Sequence, residues 1–224
     1  MITEIQYPSS KHKKCLDLIY RYCLQKEYSL ILKGSLAKGT ATEFSDIDLI
    51  ISGEITQQNI DEIITLYGTP AMTNFTVNPK GILILVYQDN ITIDLDIRET
   101  IIGQDLIGGR ILLNNDFHID SDSECVVRKE ISSKYMPERP EWYKILRLVH
   151  RGMIKYLSNK IGDAEELLQE IKENLTKIGI QTVGFSNIFE HDIQYIFSEI
   201  SNKYEVDSDM KVIFKSLFSE FRNK

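Results

Sequence analysis

At 224 residues the chain can form one large domain or two small ones sharing a cleft. Its 42% hydrophobic and 26% charged residues are those of an ordinary water-soluble globular protein. A net charge of −7 argues against a dedicated nucleic-acid binder, which carries a basic excess. The three cysteines, Cys15, Cys23 and Cys125, have no metal-ligand spacing. Met1 to Ser10 lacks the apolar core of a signal sequence, and no run approaches a membrane span. The expectation is a cytoplasmic protein with reduced thiols and no membrane partner.

Ser9 or Ser10 is placed to cap a first helix with Leu16, Ile19, Tyr20 and Cys23 on one face. Tyr28 to Lys33 reads as a short strand running into Gly34, and Leu49 to Ser52 finishes a second strand that Gly53 ends. Thr56 opens a helix with Ile60, Ile63, Ile64 and Tyr67 at helical spacing, stopped by Gly68 and Pro70. Ile82 to Tyr87 and Ile91 to Ile97 form strands joined by a Gln88-Asp89-Asn90 link. The second of them puts Ile91, Ile93, Leu95 and Ile97 on one face and Thr92, Asp94 and Asp96 on the other. Arg110 to Leu113 is a further short strand after Gly108-Gly109.

Past about residue 120 the period changes to that of helices. Val126, Val127 and Ile131 suggest one helix, interrupted by Met136 to Pro140. Trp142 to Leu157 is a strong second, and Asp163-x-x-Glu166 resembles a capping box for a third. The third carries Ala164, Leu167, Leu168, Ile171 and Leu175 on one face and ends at Gly179. Phe189, Ile193, Ile196, Phe197 and Ile200 mark a fourth. Met210, Ile213, Phe214, Leu217 and Phe218 mark a fifth. Strands followed by helices predict an α+β chain: a mixed sheet with flanking helices over 1–119, then a helical bundle over 120–224.

The chemistry concentrates in Leu30 to Ile51, LILKGSLAKGTATEFSDIDLII. Asp46 and Asp48 flank Ile47, so on an extended strand both carboxylates point to the same face, with Cβ atoms roughly 7 Å apart. At about 5 Å and an effective dielectric near 20, two such charges repel by roughly 3 kcal/mol. Water, a raised pKa or a cation must relieve that repulsion. Upstream, Gly34 and Ser35 end a strand where the chain can enter a helix, and unpaired backbone N–H groups at such a point suit phosphate. A phosphate cradle beside paired carboxylates describes a site for a nucleoside triphosphate with magnesium.

The Gly34-Ser35 pair, the ten-residue spacing and Asp46-Ile47-Asp48 on an apolar strand resemble the nucleotidyltransferase superfamily that includes DNA polymerase beta. GSLAKG followed by SDIDL is most similar to its bacterial minimal nucleotidyltransferase and aminoglycoside and lincosamide nucleotidyltransferase branch. That branch often has arginine where this chain has Lys38, which keeps the charge and loses the bidentate fork. The resemblance implies that Asp46 and Asp48 hold two Mg²⁺ ions and that Gly34, Ser35 and Lys38 bind the triphosphate of ATP or another nucleoside triphosphate. It also implies a third carboxylate. Ile91-Thr92-Ile93-Asp94-Leu95 resembles the strand that carries it in poly(A) polymerases, which selects Asp94 as catalytic residue and metal ligand, with Asp96 on the same face as the alternative.

The implied acceptor is a small hydroxylated molecule, an aminoglycoside or lincosamide antibiotic in the branch named, and a homodimer is compatible with the resemblance. The rivals are an inactive or antitoxin-like protein acting through a protein partner, and a transferase with a protein or RNA acceptor. In the helical half, Lys144, Arg147, Arg151 and Lys155 form a basic stripe, read first as a solvated face and second as a source of triphosphate contacts. Glu130, Glu138 and Glu141 are candidates for an acceptor-side base. His12, His118, His150 and His191 show no zinc spacing, and Trp142, Phe185 and Phe189 are expected in the core.

Overall fold

The computed structural model describes residues 5–76, 81–98, 101–115, 119–120, 139–181 and 184–222. The expected helix at Val126 to Ile131, with Cys125, His118, Glu130 and Glu138, lies outside them. The chain divides into two compact units, Met1–Tyr87 with Ile91–Pro137 and Gln88–Asn90 with Glu138–Lys224.

The first unit opens with α1 (Ser10–Gln25), capped by the Ser9 side chain, which accepts from the His12 N–H. Then follow β1 (Ser29–Leu32), α2 (Gly34–Lys38), β2 (Ile47–Ser52) and α3 (Gln57–Thr65). A capping box closes the start of α3, with the Thr56 and Asn59 side chains each accepting from the other's backbone N–H. The unit continues with β3 (Met72–Phe75), β4 (Leu83–Val86), β5 (Thr92–Arg98), β6 (Ile101–Ile102), α4 (Gly103–Leu106), β7 (Arg110–Leu113) and β8 (Ile119–Asp120). Tyr67, expected within the second helix, lies beyond its end at Thr65 and meets Tyr87 edge-on at 5.2 Å.

Six strands form one mixed sheet in the order β3-β4-β5-β2-β1-β7. β2 and β5 pair in parallel at its centre, and the other neighbours pair antiparallel. Strand alternation sorts the side chains by face. Leu30, Leu32, Ile47, Leu49, Ile51, Leu83, Leu85, Ile93, Leu95 and Ile97 share one core with Leu16, Ile19 and Cys23 of α1 and Ile60, Ile63 and Ile64 of α3. The opposite face is apolar only in part, where Ile31 and Ile50 meet Ile101 and Leu106. On that face β2 and β5 also carry Asp48, Asp94 and Asp96.

The second unit is helical: α5 (Glu141–Leu157), α6 (Ile161–Leu175), a 3₁₀ turn (Thr176–Ile178), α7 (Phe189–Lys203) and α8 (Ser208–Phe221). The faces read from sequence are largely the buried ones: Ala164, Leu167, Leu168, Ile171 and Leu175 on α6, and Met210, Ile213, Phe214 and Leu217 on α8. Gly179 ends the 3₁₀ turn in the left-handed region. The Asp163 capping box is a correction. The helix already starts at Ile161, and Asp163 lies inside its first turn, 3.5 Å from the Lys155 ammonium. Asp192, 1% exposed, fixes the segment before α7: it accepts from the Ser186 N–H at 2.7 Å and from the Lys172 ammonium at 2.9 Å. Burial opposes its charge, yet those donors hold its pKa below the usual value.

His150 of α5 is buried against the Phe214 ring, and its Nε2 has no hydrogen-bond partner among the described residues. Burial, with a smaller push from Arg147, drops its pKa from 6.5 to about 3. The unfolded chain therefore binds a proton that the folded one refuses, so stability is full above about pH 6.5. It falls below that pH by up to about 1.4 kcal/mol per pH unit. His150→Leu should flatten this acid limb, read as a smaller drop in Tm between about pH 7 and pH 4.5. Equal drops in both proteins would contradict a neutral buried imidazole.

Candidate functional site

β1 ends at Leu32, and two residues later the chain turns into α2 through Gly34 at φ +64°, a conformation open to glycine at little cost. Glycine is required here on a second ground. A Cβ at this position would lie 1.7 Å from Asp48 Oδ2 and 2.7 Å from its carboxyl carbon. The Asp48 carboxylate thus occupies the space that a side chain at residue 34 would fill. The same corner is held by the backbone, where the Lys33 N–H donates to the Asp48 carbonyl at 2.8 Å. The turn and the acidic strand form one structure.

Asp48 is the second residue of β2, and the parallel pairing sets it in register with Asp94 of β5. Asp46 stands just ahead of β2, so it is carried by the end of a loop, whereas the sequence pattern had it on the strand. Asp46, Asp48 and Asp94 each present a carboxylate oxygen, and the three oxygens lie within 4.8 Å of one another. None of the three residues is buried. At that separation each pair repels by about 3.5 kcal/mol with an effective dielectric near 20. Two oxygens bound to one Mg²⁺ at about 2.1 Å are at most about 4.2 Å apart. Three oxygens on one octahedral Mg²⁺ include adjacent pairs about 3.0 Å apart, so carboxylate movements of up to about 1 Å would bring the triad to magnesium distance. An all-oxygen donor set suits a hard cation.

Asp96 is placed differently. It is 7% exposed and forms an ion pair with Arg98, itself 3% exposed. On a strand, residues two apart are neighbours on one face, so Arg98 sits next to Asp96 and one step further from Asp94. That was the signal in the sequence that separates the two aspartates.

Ser35, half-buried, follows Gly34 in the first turn of α2, where the leading N–H groups have no partner within the helix. Its carbonyl accepts from the Thr40 N–H at 3.0 Å. Lys38 is exposed, with its Cε 3.9 Å from where a Cβ on Gly108 would be. Lys33, which sequence reasoning passed over, donates from its ammonium to the Ile107 carbonyl at 2.9 Å. Ser45 closes the turn before Asp46, its Oγ accepting from the Thr42 N–H at 2.9 Å.

The remaining candidates belong to the helical unit. Lys144 pairs with Glu141, and Lys155 lies 3.5 Å from Asp163, while Arg151 is exposed. Trp142 stacks on Tyr204 at 5.9 Å, and Phe189 stacks on Tyr156 at 4.6 Å.

Residues 12–99 match the family model described as "Nucleotidyltransferase domain". That span contains Gly34, Ser35, Lys38, Asp46, Asp48 and Asp94. No curated protein matches the chain.

Two substitutions test this geometry. Gly34→Ala should displace the Asp48 carboxylate and abolish divalent-ion binding, followed by Mn²⁺ titration with electron paramagnetic resonance. Retained binding would mean that the close approach is immaterial. Asp96→Ala should leave Mn²⁺ binding intact and lower unfolding stability, since it removes the carboxylate paired with a buried guanidinium. A stable Asp96→Ala protein that no longer binds Mn²⁺ would reverse the roles given to Asp94 and Asp96.

Proposed function

We propose, from the premise that this chain is a nucleotidyltransferase with its nucleotidyltransferase domain over residues 12–99, that it is magnesium-dependent and acts on a small hydroxylated acceptor. It moves a nucleoside monophosphate from ATP or another nucleoside triphosphate to a hydroxyl of that molecule and releases pyrophosphate. The observation that carries this reading is the fusion of the Gly34-Ser35 turn with the acidic cluster, because the Asp48 carboxylate lies directly against Gly34. A triphosphate gripped by the turn would have its reacting end beside the carboxylates.

Asp46, Asp48 and Asp94 would hold the metal. Bound there, Mg²⁺, two ions by resemblance, supplies neutralisation of the phosphate charge and polarisation at the α-phosphorus. The Ser35 hydroxyl and the N–H groups of the turn donate to the β- and γ-phosphates, and Gly34 lets the backbone come close. Asp94 takes the proton of the acceptor hydroxyl. The acceptor oxygen bonds to the α-phosphorus as the bond to the bridging oxygen breaks, and pyrophosphate leaves from the opposite side. Positioning and charge neutralisation supply most of the rate.

The proposed division is a catalytic domain, 1–119, and a helical-bundle domain, 120–224; a two-part chain is supported by the compact units Met1–Tyr87 with Ile91–Pro137 and Gln88–Asn90 with Glu138–Lys224. The acceptor class rests on resemblance to aminoglycoside and lincosamide nucleotidyltransferases, and antibiotic resistance would follow from it. The net charge of −7 favours a small acceptor over RNA. Three converging carboxylates favour an active enzyme over an inactive or antitoxin-like relative. A cytoplasmic location agrees with the absence, among the described residues, of a helix long and apolar enough to cross a membrane.

The test is pyrophosphate release with Mg²⁺, each nucleoside triphosphate and a panel of aminoglycosides and lincosamides. Acceptor-dependent release should vanish in Asp48→Ala and drop at least ~100-fold in Asp94→Asn. Activity that survives Asp48→Ala would refute the proposed chemistry.

A further inference from the structure

We propose that His12 is a positioning residue for the carboxylate site, acting through the backbone of Ser45; this rests on the metal-site reading above. His12 is fully buried near the start of α1, and both ring nitrogens are engaged. Nε2 lies 2.9 Å from the carbonyl oxygen of Ser45, and Nδ1 lies 2.7 Å from Ser9 Oγ. A carbonyl only accepts, so Nε2 carries a proton and donates it. In the neutral ring Nδ1 then accepts from the Ser9 hydroxyl, whose oxygen in turn accepts the His12 N–H at 3.4 Å as the helix cap. Every donor and acceptor in this chain has a use, which fixes the ring's orientation.

Ser45 is the residue immediately before Asp46. The segment between α2 and β2 is also held by local bonds: the Thr40 N–H to the Ser35 carbonyl, the Ser45 N–H to the Thr42 carbonyl at 3.0 Å, and the Thr42 N–H to Ser45 Oγ. These shape the turn. The His12 bond ties it to a helix 33 residues earlier in sequence. On the other side of Asp46, Ile47 is buried and paired with Ile93 in the sheet. The Asp46 backbone is thus clamped between the His12-bound carbonyl and the first residue of β2. Asp48 and Asp94 are aimed by the sheet itself. Asp46 sits on a loop and depends on this clamp to stay with them. Groups behind a ligand that fix its orientation typically matter about 10–100-fold in metal affinity.

The bland alternative is a buried histidine that fills space and supports the cap. Direct Mn²⁺ binding to the full-length protein separates the two, with folding followed by circular dichroism and Asp48→Asn as control. Wild type should bind Mn²⁺, and Asp48→Asn should not. His12→Leu, which removes the donor, should weaken binding by roughly tenfold or more. His12→Gln, whose amide N–H can occupy the place of Nε2, should recover most of that loss. Folded His12→Leu protein with wild-type affinity, or equal losses in the Leu and Gln variants, would overturn the role of His12 and leave the carboxylate site standing. Failure of the wild type to bind Mn²⁺ would overturn the metal site and, with it, the inference drawn from it.

Discussion

Everything at the site depends on the parallel register of β2 and β5, which sets Asp48 directly beside Asp94. That register is enforced from the opposite face. Ile47, Leu49 and Ile51 on β2 and Ile93, Leu95 and Ile97 on β5 all sit in the core shared with α1 and α3. A slip of one residue would turn Asp94 and Asp96 into that core and put isoleucine and leucine beside Asp48. Burying an unpaired carboxylate costs several kcal/mol even after relaxation, so the hydrophobic alternation rules the slip out. The geometry of the acidic face is a by-product of packing on the other face.

The site is locally unfavourable and is maintained by its surroundings. Three like charges crowd within 4.8 Å, and the turn at Gly34 leaves no volume for a side chain. The close contact of Asp48 with Gly34 is what joins the glycine turn to the acidic cluster. Either part alone is a common feature of proteins. Together they support the proposal of a site where a triphosphate and a divalent cation neutralise one another. The buried Asp96–Arg98 pair beside them belongs to the fold, since its carboxylate is committed to a neighbouring guanidinium.

Much of this was legible in the chain. The helix faces followed from the 3.6-residue period, and the acidic strand and its glycine turn from alternation and spacing. What escaped had physical reasons. β3 follows Pro70 and puts the polar Thr73 and Asn74 at its centre, so it shows neither an apolar run nor strict alternation; its pairing with β4 makes it a strand. β6 and β8 are two residues each, too short to leave a period. The Asp163 motif had the right residues at the right spacing, but the helix begins before it. The part played by His12 required knowing that residue 45 returns to the start of α1, and no local pattern carries that information. Asp94 and Asp96 are equivalent in alternation, and only the position of Arg98 tells them apart.

The central claim is that three side chains from the β2 and β5 region gather a divalent ion beside the Gly34 turn. It is tested most directly by a crystal structure with Mn²⁺ and a non-hydrolysable nucleoside triphosphate, located by anomalous scattering. The account predicts manganese bound by Asp46, Asp48 and Asp94, with the β- and γ-phosphates against the N–H groups of residues 34–36. Manganese elsewhere, or phosphates away from that turn, would contradict it.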